Sequence, residues 1–422
     1  MKIGDRILTK IGDVAFGGDG VGRSQDLVIF VPFTVDGDEA EVEITEVKKR
    51  YARARLIRII APSHYRTTPR CLYYARCGGC RMQQVAYPHQ LELKRRQVAE
   101  TFRRIAKLSL PPVAPVIASP RPYGYRGKAE FHLAGERGEP RRMGLMASAS
   151  HDLIEVERCE IVDESINRKY RSFREAFLRG LLSTRNERQL FWSDEPDESP
   201  TEVVTGSITG HEITRMVGGK RITVPYGGFF QANAALVGEL VEQVVMMSAL
   251  SGRETVVDAY CGAGLFTLFL GPRAERIFGI EGAREAVRCA GLNLCREGLM
   301  QKEVFSGDVA DILENEFAAR GIAADVVVLD PPRDGCGKGV IDAVASMRPE
   351  RIVYVSCNPA TQARDVRLLA ERGYTLHLLQ PLDMFPQTAH IEVVALLVAS
   401  VTRKPALLRI AGRTPHLPSL PI

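Results

Sequence analysis

The residue whose type and setting point most directly to covalent chemistry is Cys357, in the run Ile352–Thr361 reading IVYVSCNPAT. The β-branched and aromatic residues before it have the unbroken apolar character of a strand buried on both faces. Pro359 has no amide hydrogen to continue a ladder, so the strand must end and turn there. Ligands of open α/β sheets sit outside the carboxyl ends of the strands, which is where Cys357 then lies. A thiol held partly as thiolate at that place can act as a nucleophile. The plainer alternative is a small buried hydrophobe. Two carboxylates are placed in the same way. Asp330 ends the apolar run Asp325–Leu329, and Pro331-Pro332-Arg333 form a stiff loop that aims it into the crevice, although an aspartate opening an ordinary turn is common. Glu392 stands at the mouth of the apolar run Ile391–Val398, where desolvation would raise its pKa and make it a serviceable base.

Thr255–Ala259 reads as a strand running into Tyr260-Cys261-Gly262-Ala263-Gly264. Glycines between a strand and a helix let a ligand approach the backbone, and the missing third glycine of a dinucleotide fingerprint disfavours a pyrophosphate cofactor. Arg276–Ile280 is a second strand ending in Glu281, about the right distance on for a carboxylate to hold ribose hydroxyls. Asp308 follows a short strand at Glu303–Phe305 and is placed to bond an adenine amino group.

A separate thiol set lies upstream. Cys71, Cys77 and Cys80 fall within ten residues and are loosened by Gly78 and Gly79; Cys159 is the only other cysteine before residue 261. Such a stretch suits a loop wrapped round a metal centre, either a [4Fe–4S] cluster or tetrahedral zinc. Zinc more often takes two paired C-x2-C knuckles, so one pair and two single ligands tip the balance to iron–sulfur. The spacing is not C-x3-C-x2-C, which argues against radical chemistry at an open iron.

These groups need elements to position them. Ile7–Thr9, Leu27–Pro32, Ala40–Val47 and Arg53–Ile60 read as short strands with turns at Gly17-Gly18, Gly20 and Asp36-Gly37, a pattern expected of a small barrel over residues 1–62. Lys48, Lys49, Arg50, Arg53, Arg55 and Arg58 surround Tyr51 with no acid between them. Cations that track phosphates beside an aromatic that stacks on bases suit RNA, while an edge strand kept soluble by its charges is the plainer reading. Pro88–Leu108 reads as an amphipathic helix with Leu91, Val98, Phe102 and Ile105 on one stripe and Lys94, Arg95, Arg96, Arg103 and Arg104 opposite. Segments Lys128–Leu133 and Thr201–Thr209 suggest an antiparallel sheet, Ser165–Leu182 a helix, and Trp192 a packed residue. From Gly227 strands and helices alternate, the signature of a parallel sheet. The expected division is 1–62, a central unit at 63–226, a catalytic α/β unit at 227–402, and a proline-rich loose tail at 403–422.

The chain has 422 residues, 45% of them hydrophobic and 25% charged, as in ordinary globular proteins. No apolar run approaches a membrane span and Met1–Thr9 lacks a secretion signal, so a cytoplasmic protein without membrane partners is expected. Residues 1–126 hold 22 Lys/Arg and 12 Asp/Glu, so a net charge of +5 conceals +10 in this part and −5 in the remainder. That asymmetry fits a polyanion binder.

Taken together, the cysteine set, Phe229-Phe230-Gln231-Ala232-Asn233, Asp258 through Gly264, Asp330–Arg333, Ser356–Thr361 and His390-Ile391-Glu392 resemble the RNA 5-methyluridine methyltransferase family over about residues 3–400. The resemblance implies a Rossmann-like class I S-adenosylmethionine (SAM) methyltransferase domain, an N-terminal TRAM-like barrel that binds RNA, and a central α+β iron–sulfur domain on which, or on the catalytic unit, helix 88–108 packs. It implies SAM as methyl donor, with Gln231, Tyr260, Glu281 and Asp330 at cofactor positions beside Gly262, Gly264 and Asp308. Cys357 matches the nucleophile, Glu392 the base, and Cys71, Cys77, Cys80 and Cys159 a [4Fe–4S] site. Leu265 departs from members that carry asparagine there. The barrel and cysteine set together look more like the (23S) ribosomal-RNA branch than the bacterial tRNA branch, acting as a monomer. Uracil C5 is too weak a nucleophile alone, so thiolate addition to C6 followed by methyl transfer and proton removal is the expected route, on a base out of its stack. An adenine amino-methyltransferase would want an aromatic where Arg333 stands and would leave Cys357 without purpose. An RNA-binding iron–sulfur protein with a decayed catalytic unit would not be expected to keep Cys357, Glu392 and Asp330 together.

Overall fold

The structure is a computed structural model that describes residues 1–24, 26–135, 140–148, 150, 152–182, 187–193, 212–299 and 302–400. The segment Thr201–Thr209 and the tail at 403–422 lie outside the described residues. Five strands open the chain: β1 (Arg6–Val14), β2 (Asp19–Ser24), β3 (Leu27–Pro32), β4 (Glu39–Val47) and β5 (Tyr51–Ala61). They close into a barrel in the order β1-β2-β3-β5-β4 around Ile11, Ile29, Val31, Val42 and Ile44. The sequence suggests four strands because Gly20 reads as a turn. It lies inside β2, and glycine is needed there for packing: a Cβ on Gly20 would collide with Thr34 Oγ1, and one on Gly22 with Thr9 Oγ1.

Helix α1 (Tyr87–Ile105) starts with Pro88 in its first turn. Its buried face is Gln90, Leu93, Lys94, Gln97, Val98 and Phe102. Lys94 is therefore interior and not part of a solvated basic face. Its ammonium pairs with Asp383 at 2.6 Å, both side chains being fully buried. Val98 and Phe102 join the core of the C-terminal sheet.

The central part carries β6 (Lys128–Ala134), β7 (Arg142–Met146), β8 (Leu153–Glu155), α2 (Glu164–Leu178) and β9 (Arg188–Trp192), the strands forming an antiparallel sheet β8-β7-β6-β9. Phe131, Tyr170, Phe173 and Phe191 fill the space between that sheet and α2. Trp192 is wholly buried. β10 (Glu212–Val217) and β11 (Lys220–Pro225) make a hairpin that leads to α3 (Val237–Ser248).

The C-terminal part continues with β12 (Thr255–Ala259), α4 (Leu265–Leu270), β13 (Arg276–Glu281), α5 (Arg284–Arg296), β14 (Glu303–Ser306), α6 (Val309–Asp311), β15 (Val326–Leu329), α7 (Gly337–Ser346), β16 (Arg351–Ser356), α8 (Pro359–Ala370), β17 (Tyr374–Leu382) and β18 (Glu392–Ala399). Seven strands form one sheet, β14-β13-β12-β15-β16-β18-β17. It is not wholly parallel: β18 runs antiparallel to both β16 and β17. Val328, Val353 and Val394 are wholly buried, so a two-sided apolar strand reads the same in either direction. The reversal has a chemical consequence. A strand entering the sheet backwards delivers its first residue to the edge where the parallel strands deliver their last, and Ser356 pairs with Val393, which puts Glu392 beside the end of β16. Among the described residues no helix is long and apolar enough to cross a membrane.

Candidate active site and cysteine cavity

At the carboxyl edge of the sheet, Cys357 sits between Ser356, the last residue of β16, and Asn358, the N-cap of α8. Asn358 accepts from the Ala360 amide and donates through Nδ2 to the Arg333 carbonyl at 3.0 Å; Thr361 Oγ1 donates to the same carbonyl at 3.0 Å. The loop after Asp330 is thus fastened to the loop that bears the thiol. Asp330 follows β15, and its amide donates to the Ala259 carbonyl of β12.

Burial pushes the Cys357 thiol above its ordinary value and the nearby Glu392 and Asp330 carboxyls add to that, while the nearby Arg333 guanidinium opposes it. Glu392 is only 3% exposed. Burial and the Asp330 carboxyl hold its pKa well up, with Arg333 again opposing. Asp330 is itself raised by burial and by Asp258. One thiol, two carboxyls with raised pKa and one guanidinium therefore meet at this edge. Buried carboxyls with raised pKa are suited to proton transfer, and a cation beside a thiol to nucleophile formation.

The sequence quotes Arg333 only as part of a motif and gives it no role; its position directly after the two prolines is the signal that places it at the crevice mouth. Asp258 is a second residue without an assigned role. It is wholly buried inside β12, accepts from Thr267 Oγ1 at 2.5 Å, and has Oδ1 without a hydrogen-bond partner among the described residues. Burial first and then Glu281 push its pKa up to about 7. An acid one residue before the end of an apolar strand was the available clue.

Tyr260, Gly262 and Gly264 all adopt left-handed backbone conformations, φ 64°, 57° and 84°. A tyrosine in that region is uncommon, and it bends the chain sharply out of β12. Glu281 Oε2 accepts from the Gly262 amide at 3.0 Å and Oε1 from the Ala283 amide at 2.7 Å. The carboxylate so ties two neighbouring loops together and keeps further lone pairs for a ligand. Asp308 caps α6, its Oδ1 accepting from Ala310 and Asp311. Gln231 is buried in the stretch between β11 and α3 next to buried Phe230, and Phe229, two residues before it, is 79% exposed.

The second thiol set is held elsewhere. Cys71, Cys77, Cys80 and Cys159 line a single cavity of ≈ 490 Å³ together with Tyr73, Gln83 and Arg126. Cys77 bridges Ala147 beside β7, and Gly78 lies so near the Ala147 carbonyl that a Cβ would stand 3.1 Å from it. Asn167 of α2 grips the Cys159 backbone through both ends of its amide. Burial lifts all four thiols, Cys80 to about 12 and Cys159 to about 11. The four thiols expected to hold a metal share one cavity, but among the described residues no group of three or more Cys, His, Asp or Glu is arranged to hold a metal ion.

The barrel corrects one expectation. The basic run on β5 is not free of acid in space: Arg55 pairs with Glu43, Arg58 with Glu41, and Arg53 and Lys48 with Glu46, all on the adjacent β4.

The family model described as tRNA (Uracil-5-)-methyltransferase matches residues 214–400, and that of the TRAM domain residues 2–57. An uncharacterized RNA methyltransferase of Clostridium tetani is 33% identical, with 90% of this chain and 93% of that one covered. One from Bacillus cereus is 32% identical over 91% of this chain and 95% of its own. Among solved structures, the Pyrococcus abyssi tRNA (uracil-54, C5)-methyltransferase in complex with S-adenosyl-L-homocysteine has the same fold, with a TM-score of 0.67 at 22% identity, covering 92% of this chain and 100% of that one. The chain belongs to the SAM-dependent RNA (uracil-5-)-methyltransferase family and carries that family's α/β catalytic fold behind an N-terminal TRAM barrel.

Proposed function

We propose that the protein methylates uridine C5 through a covalent adduct between Cys357 Sγ and uracil C6. The observation that carries this reading is the convergence of Cys357, Glu392, Asp330 and Arg333 at one sheet edge, made possible by the reversed β18. SAM, when bound, supplies an electrophilic methyl group. Gln231, Tyr260, Gly262, Gly264, Glu281 and Asp308 are our candidates to hold it, and Asp330 stands between that region and the thiol. Arg333 favours the thiolate. Addition of Sγ to C6 moves the C5–C6 electron pair into an enolate, so that C5 becomes the carbon that accepts the methyl. Glu392 then takes the C5 proton, the C5–C6 double bond reforms, and the C6–S bond breaks to return the thiolate. Glu392 must be ionised at that moment, and Arg333 is the neighbouring group that favours its charge.

We assign Cys71, Cys77, Cys80 and Cys159 to a [4Fe–4S] cluster, on the strength of four thiols sharing one cavity; a cluster needs its ligands spread round a larger body than a single zinc ion does. The barrel at 1–62 and the central unit at 63–226 would then present RNA to the catalytic unit at 227–402. For the substrate we favour ribosomal RNA, because the barrel and the cysteine set occur together, as in the branch that the sequence resembles more. Transfer RNA is the second reading, favoured by the substrate in the name of the Pyrococcus structure.

RNA carrying 5-fluorouridine should trap the wild-type protein covalently when SAM is present, and Cys357→Ala should trap none. Absence of the wild-type adduct would remove the mechanism. Mapping 5-methyluridine in ribosomal and transfer RNA from a deletion strain decides the substrate.

A further inference from the structure

The loop Asp383–Ile391 joins β17 to β18 and ends at Glu392, whose backbone pairs with Leu382. Residues of the segment that follows Cys80 hold this loop. The amides of Arg81 and Met82 both donate to the Gln387 carbonyl at 3.0 Å. The Gln387 amide donates to Gln90 Oε1 at 3.1 Å, and Gln90 Nε2 lies 3.0 Å from Gln387 Oε1, 3.0 Å from the Met82 carbonyl and 2.8 Å from the Val85 carbonyl. Lys94 adds the buried pair with Asp383 and donates to the Phe385 carbonyl at 3.1 Å. Tyr125 Oη donates to the Pro386 carbonyl.

Gln387 has a left-handed backbone, φ 67°, and is 2% exposed. A buried, side-chain-bearing residue keeps such a conformation only where its surroundings over-determine it. Here every polar group of its main chain is claimed by residues 81–90. Gln90, wholly buried, touches both partners of the contact, the Met82 and Val85 carbonyls on one side and Gln387 on the other.

We propose that Gln90 is a positioning residue that sets Glu392 through the β17–β18 loop, so that the segment leaving Cys80 and the catalytic base shift together. This rests on the covalent reading above. The base must be aligned closely with the C5 proton, whereas thiolate addition transfers no proton to it and feels only its charge, so a loosened loop should slow one step far more than the other. Gln90→Met keeps the volume and removes all four hydrogen bonds. Trapping by 5-fluorouridine RNA needs addition and methyl transfer but no proton removal, and should stay within about twofold of wild type; turnover of ordinary uridine RNA should fall at least about tenfold. Amide hydrogen exchange should quicken together in segments 81–85 and 383–391. Gln387→Gly, which tolerates the left-handed backbone and loses only the side-chain bonds, should shift the same ratio less. Equal loss in trapping and turnover, or no loss in either, overturns the proposal. If wild type forms no adduct, the covalent reading falls and the exchange result alone decides the coupling: unchanged exchange in 383–391 rejects it.

Discussion

Cys357 and Cys80 are both thiols lifted by burial, yet their neighbours divide their work. Around Cys80 the other charges that count are more thiols: Cys159, Cys77 and Cys71 each raise it further, and the nearby Gln83 amide is the opposing influence. Ionising one member of that set makes the next harder to ionise, so four thiolates coexist there only around a multivalent cationic centre. Cys357 instead lies near enough to the Arg333 guanidinium for that charge to favour its thiolate. One cation can stabilise one thiolate without binding it permanently, which is what a nucleophile that must leave again requires. The same side chain is thus set in one place among groups of its own kind and in the other beside a cation, the settings that the proposed ligand and reagent roles call for.

The sharpest way to break this comparison is a double dissociation. Anaerobically purified protein should carry about four irons with broad visible absorbance. Cys80→Ser should lose most of both, whereas Cys357→Ser should keep them and lose the RNA adduct completely. Stoichiometric zinc in the wild type would overturn the cluster assignment, and loss of iron from Cys357→Ser would show that the two thiol sites are not separate. A smaller effect tests the guanidinium. With Arg333→Ala the crevice thiol comes to resemble those in the cavity, and its pKa, already raised, moves higher still. The thiolate fraction rises with pH, so the adduct-forming rate of wild type should climb from neutral into the alkaline range. The variant's profile should be displaced to higher pH, with a loss of about tenfold or more at pH 7.5 that narrows as pH rises. A loss independent of pH would mean that Arg333 acts on RNA and not on the thiol.

Much of the catalytic part was legible because its strands are short, continuous and apolar. Thr255–Ala259 is a strand with those bounds, and Glu281, Asp330 and Cys357 all lie at or just beyond strand ends on one edge. The direction of β18 was not legible, since alternation is absent from a strand buried on both faces; yet that direction is what brings Glu392 to Cys357. Lys94 was misplaced because helical periodicity counts a lysine as polar, and nothing local announces Asp383, 289 residues away, as its buried partner. β2 was lost because glycines that avoid a collision and glycines that make a turn look alike in sequence.

The barrel extends the lesson from thiols to cations, with the smallest expected effect. In sequence, Arg55 and Arg58 look like phosphate contacts. In space, the Arg55 guanidinium sits 2.9 Å from Glu43 and that of Arg58 2.7 Å from Glu41. Arg55 and Arg6 together hold the Glu43 carboxyl below its usual range, so that acid stays ionised and continues to offset them. Lys49 and Arg50, exposed at the β4–β5 turn, form no ion pair with any described residue. Releasing condensed counterions requires cations that are not already balanced by a neighbouring carboxylate. The logarithm of RNA affinity against the logarithm of salt concentration should therefore keep its slope in Arg55→Ala and Arg58→Ala. Lys49→Ala with Arg50→Ala should flatten it by about 0.7 per cation removed. An equal flattening from Arg55→Ala would show that RNA pulls the guanidinium away from Glu43, and that the barrel's cross-strand pairs open on binding.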